Sequence, residues 1–143
     1  MPERTATAHW EGPVKEGHGR ITVESGALDA GYSFGARFEN EAGTNPEELL
    51  GAAHAGCFTM ALALGLTEAG HAPSRVDTTA RVAIEKGPNG FHIPHIALSV
   101  EAVVPGIEPA AFDRLAQSAK DNCPVSKALA GVPEITLDAQ LEE

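Results

Sequence analysis

Cysteine is scarce in this chain, whose 143 residues include two, Cys57 and Cys123. Two are too few for the disulfide framework of a small secreted domain, and a chain this long buries a core without covalent staples. Their wide separation excludes a CxxC redox pair or half of a zinc ribbon. Basic residues are also few: 10 Lys and Arg stand against 20 Asp and Glu, a formal charge of −10. Such a surface repels phosphate, so a nucleic-acid partner is not expected, and it keeps the protein in solution. The N-terminus lacks the basic and then apolar stretches of a signal peptide. The expected compartment is a reducing cytoplasm, where lasting disulfides are unusual and cyclic ones are catalytic. Neither a GxGxxG nor a Walker A motif is present, and no cofactor is indicated.

What is present reads as one α+β domain over residues 1–143. Short alternating runs near 4–10, 19–25 and 30–39, separated by Gly-rich turns, predict an N-terminal β-meander. Asn45, Pro46, Glu47 and Glu48 then form a helix start: a capping side chain, a proline at the first helical position and two acids at the positive end of the dipole. Gly70 and Pro73 mark its end. Residues 49–66 carry no formal charge and approach the length of a membrane span, but Ala, Gly and Thr dominate and Glu47, Glu48 and Glu68 bracket them. The expectation is a long buried central helix carrying the first cysteine, with no membrane partner. Strict alternation from Val76 to Glu85, a turn at Gly87–Gly90 and a return through Ile96–Ala102 predict a further β-hairpin. An amphipathic helix over 109–120, a short one over 124–130 and a C-terminal strand through Ile135, Leu137 and Ala139 complete the reading.

If the two cysteines meet, they form either a structural disulfide or a catalytic pair, one thiol attacking and the other resolving. Cys123 precedes Pro124 and so takes the N-cap of a helix, where amides stabilise an anion. Cys57 lies mid-helix, where the amides are already used, and would need a cation. Arg37, in a β-run flanked by Phe34 and Phe38, is a candidate, and Glu47 could hold that Arg by a charge-assisted pair. Glu47 and Cys57 are ten residues apart, roughly 15 Å of helix rise and on different faces. If both serve one site, Glu47 comes from a second subunit. A metal held by His54, Cys57 and Cys123 is a competing reading, but a zinc site wants three or four ligands at related spacing, and no metal is expected. His54 is more simply a satisfied helix histidine, and the pairs His9/His18 and His92/His95 read as surface or strand positions.

The runs Ala8-His9-Trp10-Glu11-Gly12, Glu24-Ser25-Gly26, Arg37-Phe38-Glu39, Gly43 to Phe58, Asn122 to Ser126 and Glu134 to Asp138 together resemble the osmotically inducible protein C (OsmC) family across essentially the whole chain. They lie closer to it than to the sister organic hydroperoxide resistance branch, which places its active-site Arg earlier. Gly56, where the family commonly has Ala, is a small departure. The resemblance implies an intertwined homodimer that reduces organic hydroperoxides, and hydrogen peroxide less well. It makes Cys57 the peroxidatic thiol and Cys123 the resolving one, with Arg37 activating the thiolate and Glu47 orienting the Arg across subunits. An external dithiol, lipoyl-type in the family, would reduce the disulfide. Phe34, Phe38, Phe58 and Met60 are candidate apolar walls or plain core.

Overall fold

The computed structural model describes residues 1–142 and divides the chain into two compact units, Met1–Leu49 and Leu50–Glu143. In the first, β1 (Ala6–Glu11), β2 (His18–Val23) and β3 (Asp29–Tyr32) form an antiparallel meander in the order β1-β2-β3. Gly19 sits opposite both Trp10 and Tyr32, whose rings meet edge-on at 5.3 Å. A Cβ at Gly19 would lie 2.6 Å from each ring, so only glycine lets the two aromatics close over the strand.

The expected strand over 30–39 is corrected here, because β3 ends at Tyr32 and α1 (Phe34–Phe38) follows. The reason is local. The Ser33 hydroxyl caps α1 by accepting from the Ala36 amide at 3.1 Å. Phe34 and Phe38, one turn apart, meet at a tilt with ring centroids 5.0 Å apart, a contact that a strand's alternation would not make.

The long helix α2 (Pro46–Glu68) starts as its sequence demands, with the Glu48 amide donating to Asn45 Oδ1 at 2.8 Å and Pro46 at the first position. It stops at Gly70, whose φ of 86° is open to glycine, with amides of Gly70 and His71 returning to Thr67 and Leu66 carbonyls at 3.0 and 2.8 Å.

In the second unit, β4 (Arg75–Val82), β7 (His95–Val103) and β8 (Glu134–Glu142) form a sheet in the order β4-β7-β8. β4 and β7 pair antiparallel, as the hairpin reading expected, and β5 (Glu85–Gly87) and β6 (Gly90–His92) add a small ribbon in the connection between them. β8 pairs parallel to β7, which requires a crossover, and α3 (Pro109–Asn122) and α4 (Pro124–Ala128) supply it. Ile96, Leu98, Val100 and Ala102 alternate along β7 and are buried on one face. They join Phe58, Leu62 and Leu66 of α2 and Phe112, Ala116 and Ala119 of α3 in one hydrophobic core.

α2 is long and apolar enough to cross a membrane, yet it packs here as a core helix. It is not buried all round. Gly51, His54, Phe58, Leu62 and Leu66 form a buried stripe at helical spacing, while Met60 and Leu64 are 77% and 60% exposed. The cause is geometric: one small sheet and one helix cover one side of a cylinder.

Phe58 is fully buried in the core. Phe58→Ala is expected to lower unfolding free energy by about 3–5 kcal/mol, read as a fall in the urea midpoint at constant slope. A loss below about 1 kcal/mol would show that the stripe does not anchor α2.

Candidate active site

Both cysteines belong to the second unit, and both are free thiols. Cys57 directly precedes the buried Phe58, so the helix turns it to the flank of the core stripe, half-buried. Cys123 is 1% exposed at the junction where α3 ends and α4 begins. Its amide closes α3 on the Ala119 carbonyl at 3.0 Å, and its sulfur accepts from the Ser126 amide at 3.3 Å as the N-cap of α4. The two thiols line one hollow of about 570 Å³, with Met60, Leu64, Leu115 and Ala119 as its apolar wall.

The sulfurs are not equivalent. Burial pushes the Cys57 thiol up, a Val125 backbone hydrogen bond partly opposes this, and the hydrogen bond and charge of Cys123 raise it further. None of these influences is a cation. Burial also pushes Cys123 up, but hydrogen bonds from the Ser126 side chain and backbone, from Cys57 and from the Val125 backbone outweigh it. Cys123 therefore lies below the ordinary thiol range, and within this unit it is the more acidic sulfur.

Ser126 is a site residue that the sequence reading passed over, and His54 is one it set aside as bland. His54 is fully buried on the inner stripe of α2, with Nε2 2.7 Å from Ser126 Oγ. Ser126 Oγ is in turn 3.2 Å from Cys123 Sγ. The available signal was a repeated spacing: His54 stands three residues before one thiol, and Ser126 three after the other.

The other two candidates pair in the first unit. Arg37, in the last turn of α1 rather than in a strand, donates from Nε to Glu47 Oε1 and from Nη2 to Glu47 Oε2, both at 2.9 Å. This two-pronged geometry fixes the guanidinium plane. Glu47 is buried, and its hydrogen bonds hold Arg37 firmly charged against the opposing effect of burial. The Arg37 guanidinium carbon also lies 5.2 Å from the Phe38 ring centroid. A hollow of about 460 Å³ opens beside it, walled by Trp10, Tyr32, Phe34 and Phe38. Of the four proposed apolar walls, Phe34 and Phe38 line this hollow, Met60 lines the thiol hollow, and Phe58 is core. The four expected site residues thus form two pairs, one in each unit.

A family model described as OsmC-like protein matches residues 38–138. The chain is 55% identical to peroxiredoxin OsmC of Escherichia coli over 136 residues, 94% of each chain. It is 33% identical to an organic hydroperoxide resistance protein of Xanthomonas axonopodis, over 83% of this chain and 84% of that one. Among solved structures, an organic hydroperoxide resistance protein of Elizabethkingia anophelis superposes with a TM-score of 0.72 at 26% identity, covering 96% of both chains. An OsmC-like protein of Mycoplasma pneumoniae shares the fold with a TM-score of 0.78 at 15% identity.

The Arg37–Glu47 pair generates a measurable coupling. A double-mutant cycle with Arg37→Ala and Glu47→Ala, followed by urea unfolding, is expected to return about 1–3 kcal/mol of interaction. Additive effects would mean that the two charges are held independently.

Proposed function

The chain belongs to the OsmC-like family and is a cysteine-based peroxidase; we propose that it reduces organic hydroperoxides to alcohols, and hydrogen peroxide less well, in defence against oxidative or osmotic stress. The observation that carries this reading is the pair of free thiols facing one apolar-walled hollow. An apolar wall favours an alkyl peroxide over the small, fully polar hydrogen peroxide.

In the proposed cycle, the Cys57 thiolate attacks the distal peroxide oxygen, the O–O bond breaks, the alkoxide takes a proton from solvent and leaves as the alcohol, and Cys57 becomes a sulfenic acid. The Cys123 sulfur then attacks the Cys57 sulfur, forming the disulfide and releasing the oxygen as water. An external dithiol, of lipoyl type in our reading, exchanges the disulfide back to two thiols and is itself oxidised.

Cys57 is the less acidic sulfur within its own unit, so its attack calls for a cation. We assign that part to Arg37, with Glu47 orienting it, in a site completed across an intertwined homodimer. Two features support this. Glu47 and Cys57 share α2 but are separated by roughly 15 Å of helix rise, so one helix cannot bring them together. The exposed apolar face at Met60 and Leu64 is the kind of surface a second copy covers.

A peroxide-consumption assay with cumene hydroperoxide and a dithiol tests the assignment. Cys57→Ser is expected to abolish turnover, and Cys123→Ser to leave a sulfenic acid on Cys57 that a dione reagent labels. Turnover above background in Cys57→Ser would overturn the reading. Arg37→Ala should slow peroxide attack by more than about tenfold, with folding intact by circular dichroism. An unchanged second-order rate constant would remove Arg37 from the site. Mixing inactive Cys57→Ser with inactive Glu47→Ala subunits should restore activity through heterodimers that hold one complete site of two, and a fully active monomer by light scattering would refute sharing.

A further inference from the structure

The thiol chemistry above leaves a buried polar group without a task. His54 is fully enclosed, and its Nδ1 is a buried nitrogen with no hydrogen-bond partner. A histidine kept only for packing would be expected to have both ring nitrogens satisfied or to be replaced by an apolar residue, since an unpaired buried polar atom costs about 1–3 kcal/mol. Its other nitrogen, Nε2, is bonded at 2.7 Å to Ser126 Oγ, which lies 3.2 Å from Cys123 Sγ. The three groups form an unbroken line from α2 to the sulfur at the head of α4.

The direction of the hydrogen bonds follows from the orphan atom. Burial pushes the His54 pKa down, so the ring is neutral and carries one N–H. Placed on Nδ1, that hydrogen would be a buried donor with no acceptor. Placed on Nε2, it meets the Ser126 oxygen. With one lone pair of Oγ taken by His54, the Ser126 hydroxyl hydrogen is free to point at the sulfur.

We propose that His54 and Ser126 form a hydrogen-donor chain, Nε2–H to Oγ and Oγ–H to Cys123 Sγ, that holds the resolving sulfur of Cys123 as a thiolate. The Ser126 amide, 3.3 Å from the same sulfur, is a second donor. This rests on the resolving role assigned to Cys123 above. It deepens that role by naming what readies the sulfur. In resolution, the Cys123 thiolate attacks the Cys57 sulfenic sulfur, the S–S bond forms, and the S–O bond breaks. The departing hydroxide takes a proton from solvent and leaves as water, so one sulfur is reduced and the other oxidised. On re-reduction by the dithiol, the same donors stabilise Cys123 as the leaving thiolate, which speeds its departure.

Both residues are positioning residues, and the link has a second effect. His54 lies one turn before Cys57 on α2, and Ser126 one turn after Cys123 on α4. The buried bond between them ties the elements that carry the two sulfurs. Charged and titratable groups stand on every element around Cys123: Cys57 and Glu68 of α2 line the same hollow, His54 of α2 bonds Ser126, Lys120 and Asp121 lie in the last turn of α3, and Lys127 lies one turn on in α4.

The test reads the sulfur itself. In the Cys57→Ser protein, Cys123 is the one remaining thiol, and its iodoacetamide alkylation rate against pH gives its midpoint. Adding Ser126→Ala should raise that midpoint by about one pH unit. Adding His54→Leu should raise it by less, and His54→Gln, which keeps an N–H near the Nε2 position, should restore most of the loss. The His54→Leu, Ser126→Ala combination should move it no further than Ser126→Ala alone, because His54 acts through the hydroxyl. Ser126→Ala removes one oxygen and keeps the helix, so it carries the test if His54→Leu unfolds. In the two-cysteine protein, one equivalent of cumene hydroperoxide followed by timed dione quenching reads the closure rate. Below the midpoint, Ser126→Ala should slow closure by about threefold: tenfold fewer thiolates, offset by their higher intrinsic nucleophilicity. An unmoved midpoint in folded Ser126→Ala overturns the donor chain, and so does closure at the wild-type rate. Absence of any sulfenic acid on Cys57 would instead refute the peroxidase mechanism, while the alkylation midpoints would still decide the donor chain.

Discussion

One buried stripe of α2 runs from Gly51 through His54, Phe58, Leu62 and Leu66, and its apolar part, Phe58, Leu62 and Leu66, shares one core with the alternating inner face of β7 and with α3. The placement of Cys57 and the burial of His54 both depend on that stripe. Because Phe58 must point into the core, its neighbour Cys57 is turned to the flank, where it is partly open to the hollow. Because His54 lies on the buried stripe itself, its polar ring enters an apolar interior and must find a partner there. The partner is Ser126, 72 positions along the chain, brought near by the crossover that makes β8 parallel to β7. Burial of one helix face therefore positions one sulfur and imposes the hydrogen bond beside the other.

The same low-dielectric setting separates the chemistry of the two cysteines. Burial raises any thiol pKa, and both sulfurs feel it. Cys123 compensates with donors supplied by its own short helix, whereas Cys57 sits in the middle of a long helix, where the amides serve the helix ladder. In the proposed cycle, a sulfur of the second kind needs charge brought to it. The first unit holds a guanidinium whose position is fixed by both carboxylate oxygens of Glu47 and by the Phe38 ring, so it is ordered before any substrate arrives. Such preorganisation is what the role proposed for Arg37 calls for.

Arg37 also shows why local patterns mislead at short elements. Aromatic and small residues from Tyr32 to Phe38 alternate well enough to suggest a strand, and the three aromatics favour one. A single capping hydroxyl at Ser33 and the one-turn contact of Phe34 with Phe38 tip the segment into a helix. A five-residue element contains too few periods for hydrophobic spacing to separate a repeat of two from one of 3.6. Capping was read from the sequence at Asn45 and Gly70, where it matched the ends of α2; at Ser33 the strand reading made no use of it.

By itself, the sequence determined what depends on near neighbours along the chain: the caps and length of α2, the alternation of β4 and β7, the short helix begun by Pro124, and Cys123 at its N-cap. It also singled out Cys57, Cys123, Arg37 and Glu47, because rare residue types in chemically suggestive contexts stand out without coordinates. Only the tertiary structure decided which of them touch, how far each is desolvated, and that α2 is covered along one stripe rather than all round. The link between His54 and Ser126 belongs to the same class. A hydrogen bond between distant residues leaves no periodic trace, and a buried histidine is indistinguishable from an exposed one until the fold determines which face meets water.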